Sequence, residues 1–441
     1  GGALHIDSAT DVLVDGATFR GNVAEAGKGG AISVTSQKAQ SSAIIRDALS
    51  EGDSAIGSGA QGGFLFVGRS SGVTLENSNV QRASAASGAA ISVVAGQLAL
   101  NKVTVNGSLA TGDSAVQCLV SSIIASELAV SRTLGGRAIY SNACAITIDK
   151  SSFLDNVFSD AESSEVNGGN AAAGASHGGA ILLETQSTLT LSSSELHDNA
   201  IGGDGGAIAC IKCSKLHIRA GTAFRRNKAA RGGAVCIKNT PDCKFDGIVV
   251  FDQNIARAGG GGGVYRTGEA YLPFGTCTKS ASVAAGNYGF CPNTVVWSGN
   301  QALSGDNYAT EAVQIQVVIG GRNATRNTEP IVPPPQVHLL DRIGQLVIDA
   351  VDLVQVTASS LDDSAPLFGT LKAVLSDTTG RTAFPGLTLA GAPGLHGLRF
   401  SAGAGNLSSS ISVRTLPCEP GSHLANLTLG FSCQPCGAGR H

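Results

Sequence analysis

The feature that most constrains the fold is a motif written twice between Gly205 and Asn254. Each copy opens with Gly-Gly-Ala, continues with an alternating apolar run and closes with Phe-x-x-Asn. The opening residues Gly205 and Gly232 are 27 positions apart, and so are the closing residues Asn227 and Asn254. A fixed period of roughly 20 to 50 residues indicates a repeat architecture.

The two elements recur along the first 310 residues. A unit of about 25 to 30 residues is too short to bury a core alone, so such units stack on one another. The opening element, or a close variant, begins at Gly1, Gly29, Gly62, Gly88, Gly136, Gly178, Gly205 and Gly232, with a degenerate form near Gly262. The closing element or a variant ends at Asn22, Asn156, Asn199, Asn227, Asn254 and Asn300.

The residues after each glycine pair predict strands. Apolar residues alternate there, as in Ile208 and Cys210 or Val235 and Ile237, and a period of two is typical of a strand with one buried face. Glycine and Asn suit the corners because both tolerate backbone angles that other residues avoid. Stacked Asn side chains are expected to form a ladder. We predict that residues 1–310 form a right-handed parallel β-helix of about ten coils.

These paired motifs resemble the repeats of the chlamydial polymorphic membrane proteins, which are autotransporter adhesins. Similar motifs occur in large surface proteins of algae and other protists. The resemblance covers about two-thirds of the chain. It implies the β-helix and says little about activity.

Composition fits stacked strands better than a helical enzyme, since 59 of 441 residues are Gly and only 14% are charged. The net charge of −3 and the lack of a basic block argue against a nucleic-acid partner. No apolar run reaches the roughly 18 residues of a membrane-spanning helix. The chain has no Met and starts within a motif. We therefore expect a fragment whose targeting and anchoring segments lie outside it.

Two features predict the secretory pathway and an extracellular or cell-surface location. The eleven cysteines suggest an oxidising compartment. Four Asn-x-Ser/Thr sequons are candidate glycosylation sites. The candidate Asn residues are Asn106, Asn323, Asn406 and Asn426.

Cysteine spacing predicts disulfides between coils. Cys118 and Cys144 are 26 residues apart, as are Cys210 and Cys236, which is about one coil. Strands of neighbouring coils lie about 4.8 Å apart, within disulfide range. We therefore expect each pair to lie side by side.

A second set of cysteines leaves the pairing open. The segments that begin at Cys210 and Cys236 align if the later coil has an insertion before Cys243. The expected bonds are then Cys210–Cys236 with Cys213–Cys243, or Cys210–Cys213 with Cys236–Cys243. A zinc site is disfavoured because the sequons argue for secretion, so no metal is expected.

Residues 257–310 differ in composition from the preceding repeats. They hold four of the five tyrosines and the only tryptophan, Trp297. We interpret the segment as a cap on the last coil, because an open solenoid end is an unpaired edge. Cys277 and Cys291 are expected to close a loop within it.

The periodicity is lost after residue 310. Residues 311–335 are predicted to be a linker with a Pro-rich stretch. Residues 336–416 show short alternating runs that predict a β-sandwich, and their DTTGRTAFPGLTLAGAPGLHGLRFSA phrase resembles filamin-like and bacterial Ig-like modules. The predicted fold class is thus all-β: a parallel β-helix, a small Ig-like sandwich and a disulfide-stapled C-terminal stub.

Residues 417–441 contain C-x-P-G followed by C-x-x-C, which resembles the ephrin-receptor-like cysteine-rich repeats. The resemblance implies a bond between Cys418 and Cys433. It also leaves Cys436 with an expected partner beyond His441.

A parallel β-helix is a common scaffold for pectin-type lyases and polygalacturonases, which use clustered carboxylates. The best local cluster is Asp198 and Asp204 with His197, beside Arg225 and Arg226. Both Asp residues occupy corner positions, which favours a turn role. We therefore expect no enzyme, no catalytic residues and no cofactor.

The expected function is that of an extracellular structural or adhesive glycoprotein in a cell wall, ciliary surface or appendage. The expected partners are other extracellular proteins or copies of the chain itself, with glycans as further candidates. The alternatives are a glycan-binding receptor ectodomain and, third, a polysaccharide lyase or hydrolase. Fold alone does not decide among them.

Overall fold

The structure is a computed structural model of the 441-residue chain. Two compact units divide it, Gly1–Ala309 and Thr310–His441. The described residues are 2–25, 27–36, 41–158, 177–268, 295–319, 324–327, 329–348, 354–363, 365–376, 379–403, 407–427 and 430–437.

The predicted all-β class is confirmed, because the described residues form strands and no α-helix. The first unit is a parallel β-solenoid of about nine turns, close to the predicted ten. Sheet 1 of this solenoid follows the glycine pairs and has eleven strands. In sheet order they are β1 (Leu4–Asp7), β5 (Ile32–Thr35), β9 (Leu65–Val67), β13 (Ile91–Val94), β17 (Ser114–Leu119), β20 (Arg137–Asn142), β23 (Ile181–Glu184), β26 (Ile208–Ile211), β30 (Val235–Lys238), β34 (Val264–Thr267) and β36 (Tyr308–Thr310).

Sheet 2 follows sheet 1 in each coil and has nine strands. They are β2 (Val12–Asp15), β6 (Ser41–Arg46), β10 (Ser71–Glu76), β14 (Gln97–Asn101), β18 (Ser122–Ser126), β21 (Ala145–Asp149), β24 (Thr188–Ser192), β27 (Lys215–Arg219) and β31 (Asp242–Asp246).

Sheet 3 has ten strands and carries the Phe-x-x-Asn elements. They are β3 (Thr18–Arg20), β7 (Leu49–Glu51), β11 (Asn79–Gln81), β15 (Thr104–Asn106), β19 (Ala129–Ser131), β22 (Ser152–Leu154), β25 (Glu195–His197), β28 (Ala223–Arg225), β32 (Val249–Asp252) and β35 (Val295–Ser298). Short strands complete the coils: β4 (Val23–Glu25), β8 (Ser54–Ile56), β12 (Ser84–Ala85) and β16 (Leu109–Ala110) in one sheet, and β29 (Lys228–Ala229) with β33 (Ile255–Ala256) in another.

The glycine pair has two separate structural tasks. Gly205 has a φ of +77°, which L side chains rarely adopt. Gly206 needs its missing side chain, because a Cβ there would lie 2.1 Å from the backbone oxygen of Gly233 in the next coil. The pair therefore permits both the corner and the close stacking of coils.

The expected Asn ladder is present. The amide oxygen of Asn227 accepts from the backbone N and Nδ2 of Asn199, at 3.2 and 3.0 Å. Asn227 donates in turn to Leu196 O at 2.9 Å and to Asn254 Oδ1 at 2.9 Å. The same contacts link Asn156 to Asn199 and Asn254 to Asn300.

Aromatic stacking accompanies the ladder at the C-terminal coils. The rings of Phe224 and Phe251 are stacked with centroids 4.8 Å apart, and Trp297 stacks on Phe251 at 4.6 Å. The only tryptophan thus continues the column of rings within sheet 3. Tyr271 and Tyr288, two of the tyrosines in the predicted cap, lie outside the described residues.

The second unit has a buried core that includes Val337, Val356, Phe384, Phe400 and Val413. Its strands are β37 (Ala312–Val318), β39 (Gln336–Asp341) and β43 (Arg381–Ala383) in one sheet; β38 (Ala324–Arg326), β46 (Leu407–Leu416), β45 (Gly394–Ala402), β40 (Gln355–Ser360) and β42 (Lys372–Val374) in a second; and the pairs β41 (Leu367–Phe368) with β44 (Thr388–Leu389) and β47 (Ser422–Leu427) with β48 (Gly430–Pro435).

The predicted linker 311–335 contains paired strands. Strand β37 pairs antiparallel with β39, and its Ile315 is 4% exposed. The sequence of β37, AVQIQVV, explains this strand. Its apolar residues alternate with period two, so one face is suited to burial. The prolines begin at Pro330, after β37 and β38 and before β39.

Candidate functional site

The proposed carboxylate cluster does not form an open acidic site. Asp198 lies at a corner with φ +58°, and its two oxygens receive Arg226 at 2.9 and 2.7 Å. His197 Nδ1 lies 3.0 Å from the same carboxylate. The hydrogen bond from Arg226 is the main cause that lowers the pKa of Asp198. The carboxylate is therefore held ionised and already engaged.

Asp204 is engaged by a different set of cations. It is 2% exposed and contacts Arg231 Nε at 2.9 Å and Lys238 Nζ at 2.6 Å. Burial alone would raise its pKa, but hydrogen bonds and charge from Arg231 and Lys238 outweigh burial and hold the pKa below its ordinary value. His177 Nδ1 lies 3.7 Å away, and burial lowers the pKa of this imidazole.

The two arginines of the candidate cluster have separate roles. Arg225 lies in β28 and contacts Glu195 in the preceding coil at 2.8 Å. Arg226 instead contacts Asp198. The arrangement thus joins neighbouring coils by ion pairs, and such partly exposed pairs are each worth under about 1 kcal/mol.

A hydrogen-bonded Asp–His–Thr group lies in the second unit, with His396 and Thr415 buried and Asp362 partly exposed. His396 Nδ1 is 3.0 Å from Asp362, and its Nε2 is 3.1 Å from the Thr415 hydroxyl and 2.7 Å from Ala392 O. The Thr415 hydroxyl itself donates to Ala392 O and accepts from Gly394 N. Because this oxygen is buried and hydrogen-bonded to backbone, the group holds the segment before β45 in place rather than presenting a nucleophile.

The structure pairs Cys118 with Cys144, with Cα atoms 6.3 Å apart. The register partner of Cys118 in the next coil is Ser141, so Cys144 lies three residues further on. The bond therefore joins a strand of sheet 1 to the following corner of the next coil. It staples two coils, as the spacing suggested, although the coil there is 23 residues long, from Val116 to Ile139.

Among the alternatives for the other four cysteines, Cys210 bonds to Cys213. The expected bonds of Cys236 and Cys243 are wrong, because both are free, buried thiols. Cys210 is in register with Ile237, whereas Cys236 is in register with Ala209. An offset of one residue turns a side chain to the opposite face of a sheet, so Cys236 points away from Cys210.

The free thiols are packed as apolar residues. Cys236 packs with Tyr265 and Ala309. Cys243 is in register with Leu216 on the inner side of sheet 2. Burial raises the pKa of both thiols, that of Cys243 to about 12, so neither is reactive at neutral pH.

Cys418 is bonded to Cys433, with Cα atoms 5.5 Å apart, and Cys436 is free and partly exposed. The expected Cys277–Cys291 bond lies outside the described residues. The sequon residues Asn323 and Asn406 also lie outside them. Asn426 is exposed in β47, and Asn106 is half-buried at the end of β15.

The outer face of sheet 2 is a surface that sequence reasoning missed. Its central column runs along the register of the nine strands. A groove of about 490 Å³ lies over β6, β10, β14 and β18. The residues of this central column are, in coil order, Leu13, Ile44, Thr74, Ala99, Ile124, Thr147, Thr190, His217 and Lys244.

Three of these residues are large aliphatic side chains in solvent. Leu13 is 56% exposed, Ile44 42% and Ile124 63%. The available signal was the outward position of apolar residues in alternating runs, as in Ile123-Ile124, where only one of the two can face the core.

Neither the family models nor the curated proteins match the sequence, and no solved structure matches the fold. Across the described segments, no three His, Cys, Asp or Glu side chains converge as metal ligands. A search of the same segments for a helix long and apolar enough to cross a membrane finds none.

Proposed function

We propose that this chain belongs to an extracellular structural or adhesive protein, and that it works through the outer faces of its β-helix. The observation that carries the proposal is the set of disulfides at Cys118–Cys144, Cys210–Cys213 and Cys418–Cys433. Disulfides persist mainly in oxidising compartments, which supports secretion.

The state of the acidic groups supports a structural role over polysaccharide cleavage. Asp198 and Asp204 each contact cationic side chains, so neither is free to bind a metal ion or activate water. The resemblance of the repeats to surface adhesins and to algal and protist surface proteins points the same way. The sequon residues Asn106 and Asn426 reach the surface, as glycan attachment requires.

Peptide mapping of protein isolated from its native source tests the location. We expect the three disulfides to be oxidised and a glycan to be attached at Asn106 or Asn426. Reduced thiols at all six positions, with no glycan at any sequon, would contradict the proposal.

Incubation with pectin, alginate and uronate oligosaccharides tests the competing enzyme. We expect no new reducing ends or unsaturated products. Turnover that Asp198→Ala abolishes, in a variant that still folds, would establish the enzyme instead.

A further inference from the structure

The outer face of sheet 2 has an uncharged central column in its first seven strands and basic side chains in its last two. From β2 to β24 its central column contains only aliphatic side chains, Ala and Thr, whereas β27 and β31 contribute His217 and Lys244. The exposed aliphatic residues Leu13, Ile44 and Ile124 all fall in the uncharged part. A contiguous column of uncharged side chains that exposes large aliphatic residues is typical of an interaction surface.

We propose that this face, from β2 to β24, binds the same face of a second copy of the chain in an antiparallel two-fold dimer centred on β14. The inference rests on the proposed function, since it names the partner of an assembly protein. In such a dimer the axis runs along the strand direction. Each coil then faces the coil equally far from β14 on the other side, as an isologous interface requires.

The side chains along the central column fit this pairing. Each large aliphatic residue faces a smaller threonine of the second copy. Ala99 lies on the axis and faces Ala99 of the second copy, where its small side chain leaves room for the contact. Sheets pack face to face about 10 Å apart when bulky and small side chains alternate across them. The facing pairs, counted from the register, are Leu13 with Thr190, Ile44 with Thr147, Thr74 with Ile124, and Ala99 with Ala99.

The charged side chains in the outward column beside the central one also favour a two-fold axis on β14. With the axis on β14, Arg46 faces Asp149 of the other copy, while Asp15 faces Ser192 and no like charges meet. Moving the axis to β18 would place Arg46 against Arg219. It would also place Asp15 against Asp246. Like charges in contact disfavour that register.

A parallel dimer is disfavoured by the same reasoning. It would bring each coil against its own copy, so that Lys244 faces Lys244. The flanking residues would then also meet, Asp242 against Asp246 and Lys215 against Arg219. Only the antiparallel arrangement leaves β27 and β31 outside the contact.

The area is sufficient for a specific interface. Seven strands about 4.8 Å apart, each with about five residues across, cover roughly 500 Å² on each copy. The total of about 1,000 Å² reaches the lower limit of specific protein interfaces. The face also lacks aromatic side chains in its central column, which a sugar-stacking surface would use. A second copy therefore fits better than a glycan.

Light scattering coupled to size exclusion tests the dimer with the full chain at tens of micromolar. We expect twice the 44.2 kDa chain mass, apart from attached glycan. Ile124→Glu should weaken dimerisation at least about tenfold, because it places a charge one coil from the centre of the interface. Ile248→Glu is the matched control: Ile248 is 59% exposed but lies outside sheet 2, so the dimer should persist.

Crosslinking tests the position of the axis. In a Cys436→Ser background, Ala99→Cys should be linked to its own copy by a short bis-maleimide, whereas Thr190→Cys should not. Adding Leu13→Cys to Thr190→Cys should restore the crosslink. Circular dichroism establishes that each variant is folded.

Three results would overturn the inference: a wild-type monomer at these concentrations, a dimer indifferent to Ile124→Glu, or saturable binding of an oligosaccharide that Ile124→Glu removes. A monomer that is still oxidised and glycosylated in its native source would leave the proposed function standing. The two failures are therefore distinguishable.

Discussion

At the scale of single residues, the buried polar side chains mainly bond to backbone or to their counterparts in adjacent coils. Asn227 is fully buried and satisfies donors and acceptors in the coils on both sides. Unpaired polar groups in a protein interior cost about 1 to 3 kcal/mol each. The repeated Asn is therefore required by the backbone it satisfies, and its recurrence does not mark a binding site.

Replacing Asn227 by Ala should destabilise its neighbourhood strongly. The change leaves Leu196 O and the amide groups of Asn199 with fewer partners, at a cost of about 3 kcal/mol. Hydrogen exchange in β25, β28 and β32 should accelerate about a hundredfold. Asn142→Ala is the control, because that side chain makes a 3.4 Å contact with Tyr140. Equal protection in both variants would contradict the role of the ladder.

Asp204 gives a prediction about pH. Its pKa is lowered in the folded chain, so its contribution to stability is complete well above the ordinary value of 3.8 and is lost as pH falls through the lower folded value. Asp204→Asn leaves Arg231 and Lys238 without their carboxylate and should cost about 3 kcal/mol at pH 7. Urea unfolding from pH 7 to pH 2 should show this difference shrinking only below pH 3.8.

The exposed Asp242 supplies the control for that experiment. Asp242→Asn should change the urea midpoint little across the same pH range, because the side chain lies in solvent. A difference between wild type and Asp204→Asn that grows toward acid would reverse the predicted sign.

At the scale of elements, the coil depends on how closely its corners approach one another. The second glycine of the pair meets backbone of the next coil, and backbone cannot move aside without breaking the parallel register. The motif therefore needs two glycines for different reasons. Gly206 has no room for a side chain, and Gly205 has a positive φ.

Gly206→Ala should be poorly tolerated, since its Cβ would lie 2.1 Å from Gly233 O. We expect a loss of about 3 kcal/mol or more, seen as a lower thermal midpoint. Gly72→Ala in β10 is the matched change, because nothing lies within 4 Å of a Cβ there. That variant should match or exceed the wild type. The prediction fails if the two variants melt alike.

The repeat period predicted the coils, the strands and the Asn ladder, because each depends on local pattern. The predicted bond of Cys236 was wrong because the number of residues between two cysteines does not give the register between the strands that contain them. A shift of one residue between a 26-residue spacing and a 27-residue coil turns the thiol to the other face. The strands at 311–335 were missed because the nearby prolines dominated the interpretation. The outer face of sheet 2 was missed because alternation was read for the core alone.

At the scale of the whole molecule, the buried polar groups of the first unit hold coils together, while Leu13, Ile44 and Ile124 expose aliphatic side chains on sheet 2. A protein of this kind is expected to act by contact with other surfaces. The outward side chains determine which partner binds, and the repeat motif does not specify those residues. This is why the fold was readable from the sequence and the function was not.

Electron cryo-tomography of the native assembly, with averaging of the repeating unit, tests the account most directly. We predict β-helices in a repeating array outside the cell, with the sheet 2 faces of neighbouring copies apposed in antiparallel orientation. Isolated copies attached singly to a membrane, with sheet 2 open to solvent, would contradict it.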